Sequence, residues 1–263
     1  MKHAPHDHAV ALVVAIFILL GAACGGGGDL VVDSNPAWDT DGDGISNAVE
    51  LESHNKSLYG LDPNVFNRNP SIASGTVSSG DLLGGLNLPD TGTGYIHYLG
   101  GDQKDTDDWG TLSMINVLEA AGRNYRGQTP CNFSTTFQSR DDLARPQYGD
   151  MSLQLGGPFD PHQDHQNGLE TDVRYLAVGP RSSAEGPLDL ADPNGQQRYD
   201  QQSTLELIQC FLNDIRVVAI LYDQELTGIV PGVGEGRLID RNAIGDHTNH
   251  FHVRILDPDG TNN

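Results

Sequence analysis

Two stretches far apart in the chain concentrate side chains able to bind a metal. The first is His162-Gln163-Asp164-His165-Gln166-Asn167-Gly168-Leu169-Glu170-Thr171-Asp172, and the second is His247-Thr248-Asn249-His250-Phe251-His252-Val253. Five of the ten histidines, His162, His165, His247, His250 and His252, fall in these segments. His250-Phe251-His252-Val253 has the period of a strand, so the two imidazoles share one face while Phe251 and Val253 point to the other. Two imidazoles from that strand, with His165 and Asp172 from an earlier loop and strand, supply three ligands for a catalytic zinc and one spare base. A fourth coordination position stays open for water, whose pKa zinc lowers to about 7.

A different chemistry is written in Asp39-Thr40-Asp41-Gly42-Asp43-Gly44-Ile45-Ser46-Asn47-Ala48-Val49-Glu50. Oxygen donors stand at positions 1, 3, 5, 9 and 12 of this loop and Gly at position 6, the spacing that wraps oxygens around a hard Ca²⁺ ion. Asp39, Asp41 and Asp43 are the acidic ligands, Ile45 offers its backbone carbonyl, Asn47 acts through water and Glu50 closes the site bidentately. The loop resembles the short bacterial calcium repeats related to thrombospondin type 3, including the trailing Leu61-Asp62-Pro63-Asn64. Ile at position 7 and not 8 departs from a standard EF-hand. A single copy outside the histidine-bearing region reads as a structural clip or spacer.

Other chemistries lack support. There is no H-E-x-x-H zinc helix and no C-x-x-C pair. Ser53-His54-Asn55-Lys56 matches the acyl-serine S-x-x-K, but neither Ser-Asp-Asn nor Lys-Thr-Gly accompanies it. With 15 Lys+Arg against 36 Asp+Glu the net charge is −21, which repels phosphate backbones and leaves no nucleic acid as partner.

The segments that must position these residues divide simply. Residues 1–23 carry Lys2 and the apolar run from Ala9 to Leu20 and read as an export signal. Cys24, followed by Gly25 to Gly28, resembles a bacterial lipobox cysteine, with Leu20 four residues before it where three is usual. A lipid anchor through Cys24 on a membrane of the cell envelope, facing the periplasm, is the expectation. Residues 24–38 are a Gly-rich linker, 39–64 the calcium-binding repeat and 70–258 the larger domain. In that domain a helix is expected from Thr106, with Leu112, Ile115 and Leu118 on one face. A second is expected from Ser203, where Ser203 and Glu206 have capping-box spacing. Val217 to Tyr222 reads as a buried strand. The 32 glycines, well above the usual ~7%, imply long loops. The fold class is therefore α+β, a small antiparallel sheet with flanking helices and long Gly-rich loops. Tyr95-Ile96-His97-Tyr98 and Asp107-Asp108-Trp109 are either core or groove lining, with core favoured. Cys131 and Cys210 are either one disulfide or two buried thiols.

Over about residues 70–258 the chain resembles the penicillin-insensitive murein endopeptidases, within the lysostaphin, D-Ala-D-Ala peptidase and hedgehog-like group of zinc folds. The likeness rests on His165-Gln166-Asn167-Gly168-Leu169 leading to Asp172, on Gly156-Gly157 and His162 before it, and on His247, His250 and His252 in one closing segment. It implies that His165, Asp172 and His252 hold Zn²⁺, with His250 as general base or transition-state stabiliser. It also implies His247 as a second catalytic candidate. His162, three residues before His165, either contacts substrate or the metal's outer shell or is simply exposed. The implied activity is hydrolysis of D-alanyl to meso-diaminopimelyl cross-links in peptidoglycan, untouched by β-lactams because no serine is acylated. Glu170 stands where the family commonly has Asp, which implies altered geometry around the ligands without loss of the metal. Alternatives on the same fold are a D,D-carboxypeptidase or D-Ala-D-Ala dipeptidase. An alternative of another class is a non-catalytic peptidoglycan-binding module.

Overall fold

The computed structural model describes residues 39–92, 94–97, 106–126, 131, 145–158, 160–179, 187–229, 236–241 and 247–256. The export signal, Cys24 and the linker lie outside these residues. In chain order the elements are α1 Asn47–Leu51, α2 Ser53–Tyr59, β1 Ile72–Thr76, β2 Ser79–Leu83, β3 Leu86–Asn87, β4 Thr91–Gly92, β5 Tyr95–His97, β6 Trp109–Gly110 and α3 Leu112–Tyr125. They continue with β7 Gln147–Gly149, β8 Glu170–Arg174, α4 Pro193–Arg198, α5 Gln201–Leu212, β9 Val217–Tyr222, α6 Gln224–Thr227, β10 Leu238–Asp240 and β11 His250–Ile255.

The chain is a mixed α+β protein. Its main sheet has seven strands in the order β10-β9-β11-β8-β7-β5-β4, and two small antiparallel pairs, β1-β2 and β3-β6, stand beside it. The expected small antiparallel sheet is thus larger and mixed. The pairs β9/β10 and β5/β7 are parallel, and each is joined by a connection containing a helix, α6 or α3. Strands of two or three residues such as β4, β5 and β7 leave too short a pattern to be read from sequence.

Helix starts follow local capping. The helix expected from Thr106 begins six residues later, with Thr111 as N-cap accepting a hydrogen bond from Met114 N. Trp109 and Gly110 are instead drawn into a strand paired with Leu86 and Asn87. Asp200, and not Ser203, caps α5, accepting from Ser203 N at 3.0 Å. The strand at Val217–Tyr222 forms as read.

Behind the sheet, α3 and α5 bury Met114, Ile115, Leu118, Leu207, Ile208 and Phe211 against Val173, Phe251 and Val253. Phe211 meets Phe251 and Tyr148 edge-on, with ring centroids 6.2 and 5.9 Å apart. Cys131 and Cys210 form a disulfide with Cα atoms 4.9 Å apart, fastening residue 131 to α5. Tyr95, His97, Asp108 and Trp109 are buried, so these positions belong to the core; Tyr98 lies outside the described residues.

The acidic loop is no detached spacer. Ile45, Val49 and Leu61 are buried in the same hydrophobic core as α3. Ser46 Oγ donates to Glu119 Oε1 at 2.9 Å, and Asn116 Nδ2 donates to Gly44 O at 3.2 Å, both partners lying on α3.

Candidate metal centre

The register of β8 against β11 builds the site. It sets Arg174 opposite His250, Asp172 opposite His252 and Glu170 opposite Arg254. With a side-chain period of two, these six residues share one face, while Val173, Phe251 and Val253 fill the core on the other. A slip of one residue would bury the charges and expose the core.

His165 reaches the same face from the loop before β8. Its backbone is left-handed, at φ 67°, in a loop with Gly156 and Gly168 at φ 74° and 69°. At Gly156 a Cβ would come within 2.4 Å of Leu82 N, so only glycine lets the loop lie this close to β2. The loop is held by bonds from Gln166 N to Val77 O and from Gly157 N to Gln166 O, both 2.9 Å.

Four side chains then converge. His165 Nε2 lies 3.2 Å and His252 Nε2 3.5 Å from Asp172 Oδ1. His250 Nε2 approaches the other oxygen, Oδ2, at 3.4 Å. Asp172 Oδ1 and His165 Nδ1 are buried without a hydrogen-bond partner. Donor atoms lie within 4.8 Å of one another in three overlapping groups: His162, His165 and Asp172; His165, Glu170 and His252; and His247, His250 and His252. All five histidines of the two metal-binding segments are therefore at this centre.

Glu170, fully buried, accepts from His252 Nδ1 at 2.6 Å. A carboxylate only accepts, so His252 Nδ1 carries a proton. Arg254 Nε donates to the other Glu170 oxygen, and Arg254 Nη2 reaches Asp164 Oδ2 at 3.2 Å, which in turn accepts through Oδ1 from Ser78 Oγ on the β1–β2 turn. His250 Nδ1 lies 2.6 Å from Asn249 Oδ1, and its Nε2 lies 3.0 Å from His252 Nε2.

Electrostatics follow from this packing. Burial would raise the Glu170 carboxyl, but the His252 hydrogen bond and the His165, His252 and Arg254 charges hold it near 2. Asp172 is held well below the usual carboxylate range despite its burial, by His250, His252 and His165. Burial pulls His250 down to about 3 against the opposing charge of Asp172, with the neighbouring His252, Arg174 and His247 reinforcing burial. His165 is opposed by burial yet raised to about 9 by Asp172, with Glu170 and Asp150 adding to it.

Sequence reasoning did not find Arg174, Arg254 or Asp150. Both arginines continue the period-two pattern through Asp172 and His252 and were readable on that ground. Asp150 carried no such signal. It follows Gly149, which pairs with Asp172, and burial together with Asp172, Asp107 and Asp108 pushes it up to about 8. Asp150 and His165 are the non-glycine residues with positive φ among those described.

In the acidic loop Asp39 Oδ1 accepts from Gly42 N at 2.7 Å and Oδ2 from Gly44 N at 2.9 Å. Asp39, Asp41 and Asp43 bring carboxylate oxygens within 4.8 Å of one another. Glu50 is fully buried with Oε2 unpartnered, and burial with Asp43, Asp41 and Asp39 pushes its carboxyl up to about 7. Asn67, unremarked in the sequence, donates its backbone N to Asp43 Oδ2 at 2.6 Å and its Nδ2 to Glu50 Oε1 at 3.0 Å. Asn47 is turned to Thr40, accepting from its N at 2.9 Å.

No known protein-family model and no curated protein sequence matches the chain.

Proposed function

We propose that the chain is a zinc metallopeptidase that hydrolyses peptidoglycan peptide cross-links, D-alanyl to meso-diaminopimelyl, on a hedgehog and D-Ala-D-Ala peptidase-like fold. The observation that carries the reading is the convergence of His165, Asp172 and His252 with one further base, His250, beside them. Zinc bonds of about 2.0–2.1 Å in a tetrahedron separate ligand atoms by about 3.3 Å, and the distances from Asp172 Oδ1 to His165 Nε2 and His252 Nε2, 3.2 and 3.5 Å, bracket that value. The unpartnered Asp172 Oδ1 supports the same set. The assigned set of His165, Asp172 and His252 has three protein ligands, the catalytic pattern and not the structural one, which favours an enzyme over a binding module.

His165, Asp172 and His252 would hold the zinc, which when bound would supply Lewis acidity for a peptide carbonyl and for water. The chain's residues do the rest. Glu170 fixes the His252 ring so that Nε2 faces the ligand oxygen of Asp172. His250 Nε2, 3.0 Å from His252 Nε2, would stand beside the centre as general base or transition-state stabiliser. His247 beside His250, and His162 beside His165, would contact the peptide. Export with a lipid anchor through Cys24 would put this activity at its substrate in the periplasm.

Ca²⁺ is assigned to Asp39, Asp41, Asp43 and Glu50, supported by the buried, unpartnered Glu50 Oε2 facing three other carboxylates. Metal analysis of the purified protein, with muropeptide products resolved by mass spectrometry, tests the function. Cleavage of cross-linked dimers into monomers is expected. Release of terminal D-Ala alone would support the carboxypeptidase, and zinc without cleavage the binding module.

A further inference from the structure

One zinc with three protein ligands leaves imidazoles over. His247, His250 and His252 bring donor atoms within 4.8 Å of one another, their ring centroids 4.7 to 5.6 Å apart. Asp172 faces two ways: Oδ1 towards His165 and His252, Oδ2 towards His250 Nε2 at 3.4 Å. A carboxylate whose two oxygens face different imidazoles, His165 and His252 at Oδ1 and His250 at Oδ2, can bridge two metals that sit about 3.5–4 Å apart. The distance from His250 Nε2 to Asp172 Oδ2 also matches two ligand atoms on one zinc, about 3.3 Å apart.

We propose that His247, His250 and Asp172 Oδ2 form a second, weaker position for a divalent transition metal, and that excess zinc bound there inhibits hydrolysis by withdrawing His250 from proton transfer. The inference rests on the reading of the primary centre given above. The second position is weaker because it has two imidazoles and shares a carboxylate with the first cation, against whose charge the second must bind. Imidazole donors favour zinc and exclude magnesium, which demands oxygen ligands and keeps its water.

The test is equilibrium dialysis of the full chain against rising zinc, with zinc per chain and turnover on cross-linked muropeptides read from the same samples. Expected are a tight first equivalent with activity, then a second before about 1 mM zinc, accompanied by at least a roughly tenfold fall in turnover. Magnesium at the same concentrations should leave turnover unchanged. His247→Ala and His247→Gln should keep the first equivalent and lose the second; in the wild type with two equivalents, X-ray absorption should show a zinc–zinc vector near 3.5–4 Å. A single equivalent throughout, a second one retained in both variants, or a second one that raises turnover would overturn the proposal. Absence of even the first equivalent would overturn the primary centre and this position with it.

Discussion

Asp172 and His252 are directly opposed residues of β8 and β11, and their side chains meet with Oδ1 and Nε2 3.5 Å apart. Two of the three assigned zinc ligands are thus fixed by the hydrogen-bond register of a central strand pair buried on its other face by Phe251 and Val173. Only His165 depends on a loop. Such a centre is preorganised, with its geometry maintained by core packing.

His250 and His252 share a face yet should respond differently to truncation. His252→Ala is expected to lose both zinc and activity, since two ligands remain. His250→Ala should keep about one zinc per chain and lose about 10²–10⁴-fold in rate. Zinc stoichiometry and turnover on one preparation decide the matter, and a His250→Ala protein without zinc would make His250 a ligand.

In the proposed centre Glu170 would act on the metal through His252. Glu170→Ala should weaken zinc binding by about 10–100-fold, measured by chelator competition, because the imidazole loses the acceptor that sets its tautomer. Glu170→Gln keeps an acceptor oxygen and should fall between. Unchanged affinity in the Ala variant would show that the 2.6 Å contact does not tune the ligand.

Zinc binding should strengthen as pH rises. In the metal-free centre His165 holds its proton up to about pH 9, above its ordinary value of 6.5, so this group's stabilisation is full below 6.5 and lost as pH passes about 9. Zinc must displace that proton, and its affinity should gain about tenfold per pH unit below 9. Isothermal titration at pH 6, 7 and 8 would show a flat profile if His165 were no ligand.

Calcium should stabilise the whole domain, because the loop shares its core and two hydrogen bonds with α3. Calcium at about a hundredfold over its Kd should raise Tm by about 5–10 °C, and Asp39→Ala with Asp41→Ala should abolish the rise. Glu50 sets the pH dependence. Its folded pKa, about 7, exceeds the ordinary 4.5, so its contribution to calcium-free stability is lost as pH rises from 4.5 through 7. The calcium-induced rise should grow over the same window. Scanning calorimetry with and without calcium at pH 5.5 and 8 measures both.

What was legible in the sequence was local. The alternation in His250-Phe251-His252-Val253 and the apolar run at Val217–Tyr222 each specify a strand without knowledge of its partners. The grouping of the five histidines was readable from their types. What was hidden depends on distant chain: Trp109 and Gly110 leave the expected helix only because Leu86 and Asn87 pair with them. The bonds from Glu170 to His252 and Arg254 likewise join residues more than eighty positions apart. The α3 contacts that tie in the acidic loop have the same cause.

The most direct measurement is mass spectrometry of purified, cross-linked muropeptides incubated with the zinc-loaded full chain, beside the same protein stripped by chelator. Cleavage of the D-alanyl to meso-diaminopimelyl bond by the loaded protein, its loss on stripping and its return with about one equivalent of zinc are predicted. Intact cross-links after incubation with protein shown to carry its zinc, or equal cleavage by the stripped protein, would contradict the assignment of a zinc endopeptidase.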